Sequence, residues 1–552
     1  MDYMASERDM SPKICLINLF LFYIITTHNI SVGFQPSTAR YETFFNSEHR
    51  IVEGLDRYIR HETERLEIIK KSSGYEDEIP FVEQRIETLT SFYKQAKANA
   101  SAVSDDIRNL RIQHPTSTLV GFKNFVTNWT PFLHNETLYG FRLLEFLNVT
   151  MKDIPDQTDL ANHLGNLIYI HLFYNLSASD IFDGDILGQK GSPLTVMDAY
   201  DLAQFAKETD KPRLALQWFQ VTLEQSKKIG NKTDINIPIL LTEIALLHGQ
   251  FDDWDKATPL VEEAFALNDT DDVVFKRYAR VTTENVPRYS NFEDRTPVYW
   301  TNFTTLCQAN VTFKPPQKWF HRCRYRCSPI PFKRYREEIL SLSPYVSVFH
   351  NVISDDLIND IKTKTAKNLT KATNYYYTKL EGTEILENHT SARVLTKIAG
   401  DISGLNASYT PGEVSSGGTL RVLNFGPCGM GKPHNHTSMY DERMFLSGDK
   451  VGFVTFYLSD VESGGATVFL DIGLRYQPKK GSALLWFVVQ PNGDDDLRLN
   501  KAECPMAVGD KWIVEKDIHF HMNQAARPCA LKVKGNQIGL DRAVHRFRHC
   551  RL

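Results

Sequence analysis

Apolar residues recur every three or four positions from about Tyr41 to Ala102. In "RIVEGLDRYIRHETERLEIIKK", Val52, Leu55, Ile59, Leu66 and Ile69 form one stripe, charges fill the other positions, and Glu62 alone interrupts the seam. This period predicts long amphipathic helices, either a single surface helix or a dimerising coiled segment. Residues 105–180 are mixed and mostly helical, and "DGDILGQKGSP", Asp183–Pro193, reads as a loop. From Val346 onward the period shortens. A helix opening at an N-cap, Ser354, in "SDDLINDIKTKTAKNL" precedes short runs rich in β-branched and aromatic residues: "TLRVLNF", "VGFVTFYLS", "GATVFL", "SALLWFVVQ" and "DKWIVEKDIHF". Gly, Pro and Asp punctuate these runs, and evenly spaced strands of this kind predict a jelly roll or barrel that holds small ligands inside.

Between the two regimes lie two helical hairpins and a connector. "MDAYDLAQFAKETDKPRLALQWFQVTLEQSKK" turns at Asp210–Pro212, and "IPILLTEIALLHGQFDDWDKATPLVEEAFAL" turns at Gly249–Asp253. Each approaches the roughly 34 residues of a tetratricopeptide unit. Such units make a concave surface suited to an extended peptide; a plain helical bundle fits the same pattern. Thr296–Arg336 is rich in Cys, Pro and Arg and contains Cys307, Cys323 and Cys327.

Composition adds compartment and partner class. The chain has 552 residues, 42% hydrophobic and 24% charged, with a net charge of −4. That length predicts several globular domains, and that charge argues against nucleic acid as the main partner. Lys13 and the apolar run Ile14–Thr27 read as a secretory leader, with small residues at Ser31 and Gly33 expected to flank cleavage, and no membrane span is expected to remain. Asn-x-Ser/Thr sequons are dense, at Asn128, Asn175, Asn268, Asn302, Asn368, Asn388 and Asn406 among others, which suits a lumenal chain. Of the eight cysteines, Cys15 leaves with the leader, and an odd number remains in an oxidising compartment. CxxxC there favours disulfides over zinc.

The candidate chemistry sits in "GKPHNHTSMYDE", Gly431–Glu442. His434 and His436 lie two residues apart, so an extended strand places both imidazoles on one face, where they can hold a metal. Around them, "FYLSDVESGGATVFLDIG", "PKKGSALLWF", "CPMAVGDKW" and "RPC" resemble the catalytic domain of the collagen-type prolyl 4-hydroxylase alpha subunits. The resemblance extends upstream through the coiled segment, the helical hairpins and the connector. It implies an endoplasmic reticulum lumenal dioxygenase that uses Fe(II), 2-oxoglutarate, oxygen and ascorbate to hydroxylate proline in collagen-like chains. It also implies a tetramer of two alpha-type subunits with protein disulfide isomerase.

Carried over by position, the resemblance makes His434 the first iron ligand and Lys511 the partner of the far carboxylate of 2-oxoglutarate. It places His519 near the site and implies the disulfides Cys504–Cys529 and Cys307–Cys323, leaving Cys327, Cys428 and Cys550 over. Two positions depart. His436 stands where the family has the triad aspartate, and Lys501 where it has the distant histidine. A protonated lysine has no lone pair and repels a metal cation. Asp441, Glu442 and Glu503 are the candidate substitute ligands. The peptide groove departs as well: the family's is rich in tyrosine, and Tyr200 is the one tyrosine between Asp198 and Leu267.

The expected architecture is therefore multidomain α+β: a helical N-terminal part and a C-terminal double-stranded β-helix. Residues 1–33 form the leader, 34–182 a helical dimerisation-type domain, 194–285 the peptide-binding-type hairpins, 286–340 the connector, 341–530 the dioxygenase-type jelly roll, and 531–552 a basic tail. Function is expected to follow the family with impaired iron chemistry, or to be that of a silent lumenal binding or assembly subunit.

Overall fold

A computed structural model describes residues 37–526, except 73, 75, 102–103, 134–146, 148–154, 231–233, 290–297, 310–321, 329–331, 372–376, 435–446 and 491. The expected leader and basic tail lie outside the described residues, as do His436, Asp441, Glu442 and Cys529. The chain forms two compact units. One is Tyr41–Ser290; the other runs from Asn291 onward and includes Gln35–Arg40. No described helix is long and apolar enough to cross a membrane.

The first unit is helical. Helices α1 (Thr38–Lys71) and α2 (Ile79–Ser101) bury the stripe read from sequence: Val52 and Leu55 join one apolar cluster, and Leu66 and Ile69 join Val82 in another. Glu62, the interruption, is buried at 2% exposure between Arg65 and Arg85, each 3.7 Å away. Its charge is thus matched rather than solvated. Helices α3 (Asp105–Gln113) and α4 (Pro115–Asn124) meet at His114, and α5 (Gln157–Tyr174) starts in a capping box of Asp156 and Asp159. The His114 ring contacts the Thr116 hydroxyl at 2.9 Å and the Gln189 carbonyl at 3.2 Å. Gln189 sits in the small hairpin of the Asp183–Pro193 loop. Gly191 of that loop lies so close that a Cβ there would come within 2.1 Å of the ring.

Helices α6 (Val196–Glu208), α7 (Pro212–Ile229), α8 (Ile237–Gln250), α9 (Trp254–Leu267) and α10 (Asp272–Thr282) then follow, each packed on the next. The turns fall where Pro212 and Asp253 placed them. Ala199, Ala203, Ala215, Ala245 and Ala257 are fully buried at the crossings, where small side chains let the helices approach. Lys207 and Arg277 both bind Glu243 at 2.6 Å, tying α6, α8 and α10 together.

The second unit is a curled antiparallel sheet consistent with a jelly roll. Helix α11 (Val298–Gln308) precedes β1 (Arg322–Cys327), β2 (Arg334–Leu342) and β3 (Tyr345–His350). Helix α12 (Asp355–Thr365), capped by Ser354, leads to β4 (Tyr377–Ile385), α13 (Thr390–Ser403), the long β5 (Gly417–His434) and β6 (Lys450–Tyr457). Short strands β7 (Ser463–Gly464), β8 (Thr467–Phe469) and β9 (Leu474–Tyr476) follow, then β10 (Ala483–Phe487), β11 (Lys501–Glu503), β12 (Met506–Val508) and β13 (Lys511–His519). The main sheet runs β9–β8–β11–β5–β13–β6–β10–β3–β2–β1, with β4 also on β5, and β7 pairs β12 separately. Strand β5 serves two layers. Gly417–Phe425 lies between β4 and β13, while Gly431–His434 reaches β11, and Cys428 between them takes a positive φ of 68°. Apolar residues of α12 and α13, such as Ile358, Ile361, Leu395 and Ile402, share one core with Val422, Phe456 and Val514 of the sheet.

The cysteines differ from expectation. Cys307 bonds to Cys504, with Cα atoms 5.6 Å apart and 197 residues between them in sequence. The pairs Cys307–Cys323 and Cys504–Cys529 implied by resemblance are therefore both corrected. Helix α11 packs on β8 and β9, which brings buried Cys307 to the end of β11, whereas Cys323 is exposed and free on edge strand β1. Cys327, expected to be left over, is itself disulfide-bonded. Cys428 is buried.

Candidate functional site

The site lies on the inward face where the ends of β5, β8, β11 and β13 converge. Register puts Lys501 opposite His434 and Phe469, Glu503 opposite Thr467 and Gly431, and Lys511 opposite Phe425. Lys501 and Glu503 flank Ala502, so strand alternation turns both the same way. Lys511, Ile513 and Glu515 likewise share one face of β13. The two expected positions, Lys501 and Lys511, thus come together in one cluster with His434.

Four of the charges are linked in a row, Lys511–Glu503–Lys501–Glu515. Lys511 Nζ donates to Glu503 Oε2 at 2.6 Å and to the Gly465 carbonyl at 2.6 Å. Lys501 Nζ donates to Glu515 Oε1 at 2.8 Å and faces Glu503 Oε1 at 2.9 Å, an ionic contact without hydrogen-bond geometry. Thr467 donates to Glu503 Oε2 at 2.6 Å, and its own hydroxyl lies 2.8 Å from that of Tyr457. Arg421 holds the other side of Glu515 at 3.3 Å. Aromatic faces complete the lining: Lys501 lies 4.7 Å over Trp486, and Lys511 4.9 Å over Phe425. Lys501, Glu503, Lys511 and Glu515 are each at most 1% exposed.

Gly465 makes one of these contacts possible. Its φ of +60° turns its carbonyl to Lys511, and a Cβ there would come within 2.3 Å of the Met506 sulfur.

Electrostatics follow from burial and pairing. Burial pushes the Glu503 carboxyl up, but the ammonium groups of Lys511 and Lys501 outweigh it and hold it below the usual carboxylate value. Burial pulls His434 down, and the Lys501 charge adds to that pull. His434 Nδ1 lies 2.7 Å from the Lys432 carbonyl; that oxygen can only accept, so Nδ1 carries the proton and Nε2 the lone pair. Burial pushes the Tyr457 hydroxyl well up, with the Glu503 charge acting the same way.

Among the described residues, this cluster does not fit an iron centre. Lys501 is engaged by the carboxylates of Glu503 and Glu515, and an ammonium offers no lone pair where a ligand is required. Among the described residues, no three His, Cys, Asp or Glu side chains group so as to hold a metal. Glu503, a candidate substitute ligand, is instead held by both lysines. Nor do they fit the far carboxylate of 2-oxoglutarate, because Lys511 already carries one from Glu503. His519 is separate: its ring contacts the Gly448 carbonyl at 3.0 Å and Asp517 at 3.4 Å, at the far end of β13.

Glu515, Thr467 and Tyr457 escaped the sequence reading. The available signal was "KWIVEK", where Glu515 occupies an inward position of an apolar strand two residues after Ile513. A carboxylate on the buried face of a strand requires a cation nearby, and Lys501 was the one already singled out.

No family model matches the chain. Its curated homologues are prolyl 4-hydroxylase alpha subunits. Prolyl 4-hydroxylase subunit alpha-2 of Gallus gallus is 26% identical over 564 residues, covering 94% of this chain and 99% of that protein. Prolyl 4-hydroxylase subunit alpha-1 of Homo sapiens is 25% identical over 546 residues, covering 90% and 96%. Among solved structures, the 2OG complex of the viral collagen prolyl hydroxylase vCPH from Paramecium Bursaria Chlorella virus-1 aligns at 17% identity and a TM-score of 0.27, over 32% of this chain and 95% of that one.

Proposed function

We propose that this chain is a prolyl 4-hydroxylase alpha-subunit-like protein of the endoplasmic reticulum lumen that has lost the family's iron chemistry and acts as a binding or assembly subunit. The observation that carries this reading is the Lys501–Glu503–Lys511–Glu515 network, which fills the expected metal and cosubstrate positions with the protein's own charges. The alpha subunits align with it nearly end to end, which supports retention of the family's architecture and of its assembly with protein disulfide isomerase and a second alpha-type subunit. The leader-like start and the sequons support the compartment. Asn128, Asn302, Asn368, Asn388 and Asn406 are exposed, as acceptors must be. The hairpins α6–α9 provide a tetratricopeptide-like surface for an extended chain, collagen-like or otherwise proline-rich. Tyr200 is its remaining tyrosine, packed against Phe219 at 5.9 Å.

The test is metal analysis of the purified glycoprotein together with succinate release from 2-oxoglutarate. The expected result is substoichiometric iron, and no succinate above background even with Fe(II), ascorbate and a proline-rich peptide. Stoichiometric iron with peptide hydroxylation overturns the reading. Retained capture of protein disulfide isomerase from the lumen, with no turnover, is the expected positive result.

A further inference from the structure

We propose that Asn388 carries an N-linked glycan whose first N-acetylglucosamine is seated on Leu386 and Val394, so that this sugar is a structural part of the helical face of the second unit. The inference rests on the lumenal location proposed for the chain, because that compartment supplies the glycan.

Asn388 opens the sequon Asn388-His389-Thr390, and all three residues are exposed. The acceptor sits in a fixed turn. The His389 amide donates to the Leu386 carbonyl at 3.2 Å, and helix α13 begins at Thr390. Glu387, the residue before the acceptor, pins this turn to three parts of the unit. Its Oε1 accepts from Thr396 of α13 at 2.8 Å, from Lys516 of β13 at 2.8 Å and from the Tyr409 amide at 3.1 Å. Ser391 donates to Asp360, which fastens the start of α13 to α12. A sugar on Asn388 therefore leaves from a fixed point, and the turn gives up no further freedom when the sugar settles beside it.

The surface beside it is apolar. Leu386, in the turn, is 39% exposed, and Val394 is 40% exposed. Val394 stands one helical turn after Thr390, on the same face of α13. Exposed apolar side chains are ordinary singly; here two of them flank a glycan acceptor. The ring of N-acetylglucosamine has a face of C–H groups and an acetamido methyl, which can cover such side chains and remove apolar area from water. Covalent attachment keeps the sugar's local concentration high, so a weak contact suffices.

The modification balances without any redox change. Asn388 Nδ2 forms a bond to C1 of the first sugar of a polyprenyl-diphosphate oligosaccharide, the co-reactant. The C1–O bond to the diphosphate breaks, the lipid diphosphate leaves with the bonding pair, and the amide loses one proton.

The experiment maps occupancy on the native glycoprotein by mass spectrometry after peptide-N-glycosidase, which leaves aspartate where a sugar-bearing asparagine stood. Thermal unfolding is then compared across variants. Asn388 should be occupied. Asn388→Gln and Thr390→Ala should each lose one glycan and a few degrees of Tm, whereas Thr390→Ser, still a sequon, should keep both. The pair Leu386→Ser with Val394→Ser should keep the glycan but lose its benefit, so adding Asn388→Gln to that pair should lower the Tm no further. Occupancy is read on the native protein, so it is decided even if a variant fails to fold. Asn388 found bare while other sequons carry sugar overturns the proposal. So does a glycan whose loss leaves the Tm unchanged, or lowers it equally with and without Leu386 and Val394. Sugar on no sequon at all overturns the lumenal location as well, and the iron content of the native protein judges the lost-chemistry reading separately.

Discussion

Lys501 is a full positive charge at 1% exposure, and it is tolerable only because Glu503 and Glu515 lie within 2.9 Å of it. Removing one member of a buried ion network leaves its partners desolvated and uncompensated. Lys501→Met should therefore destabilise the second unit by about 3–5 kcal/mol, read as a lower denaturant midpoint. Adding Glu515→Gln should recover part of that loss, because the two side chains are directly coupled. A second residue sets a pH dependence. Burial pulls His114 down to about 4, against 6.5 for an ordinary histidine. Above pH 6.5 both folded and unfolded chains hold it neutral, and stability is full. As pH falls from 6.5 to about 4 the unfolded chain takes up the proton and the folded chain does not, so stability drops, by at most about 3 kcal/mol. His114→Gln should flatten that slope in denaturant midpoints measured across the window, whereas an unchanged slope would remove His114 as the cause.

At the scale of elements, the sequence read well where the apolar pattern was continuous. Helices α1, α2 and α6–α9 follow their apolar stripes, and strands β6, β10 and β13, buried at nearly every position, read as apolar runs. Strands β1 and β2 were missed: "RCRYRC" and "RYREEILSL" carry charge at three of six and four of nine positions, and the Arg324–Glu337 pair at 2.6 Å across the two strands explains why. At the site, Lys501 and Lys511 were legible as replaced and retained ligand positions, but not their carboxylate partners, since cross-strand neighbours depend on register. The disulfide shows the same limit, because helix α11 had to be placed on the sheet before Cys307 could meet Cys504. Peptide mapping without reduction should recover a Cys307–Cys504 linked pair. Cys307→Ser should cost about 5 kcal/mol, the chain-entropy value for a loop of this length. Recovery of Cys307 joined to Cys323 would refute the assignment.

For the whole molecule, ligand linkage supplies the broadest test. A group that binds the folded chain raises its stability in proportion to occupancy, and a group that does not bind leaves it unchanged. Chelator, Fe(II) and 2-oxoglutarate should each leave the Tm of the native glycoprotein where it was; an iron-dependent rise would contradict the filled barrel. The network also has a cellular consequence under the proposed reading. A chain that balances its buried charges with its own side chains needs no iron supply to fold, so its abundance should hold steady in iron-starved cells.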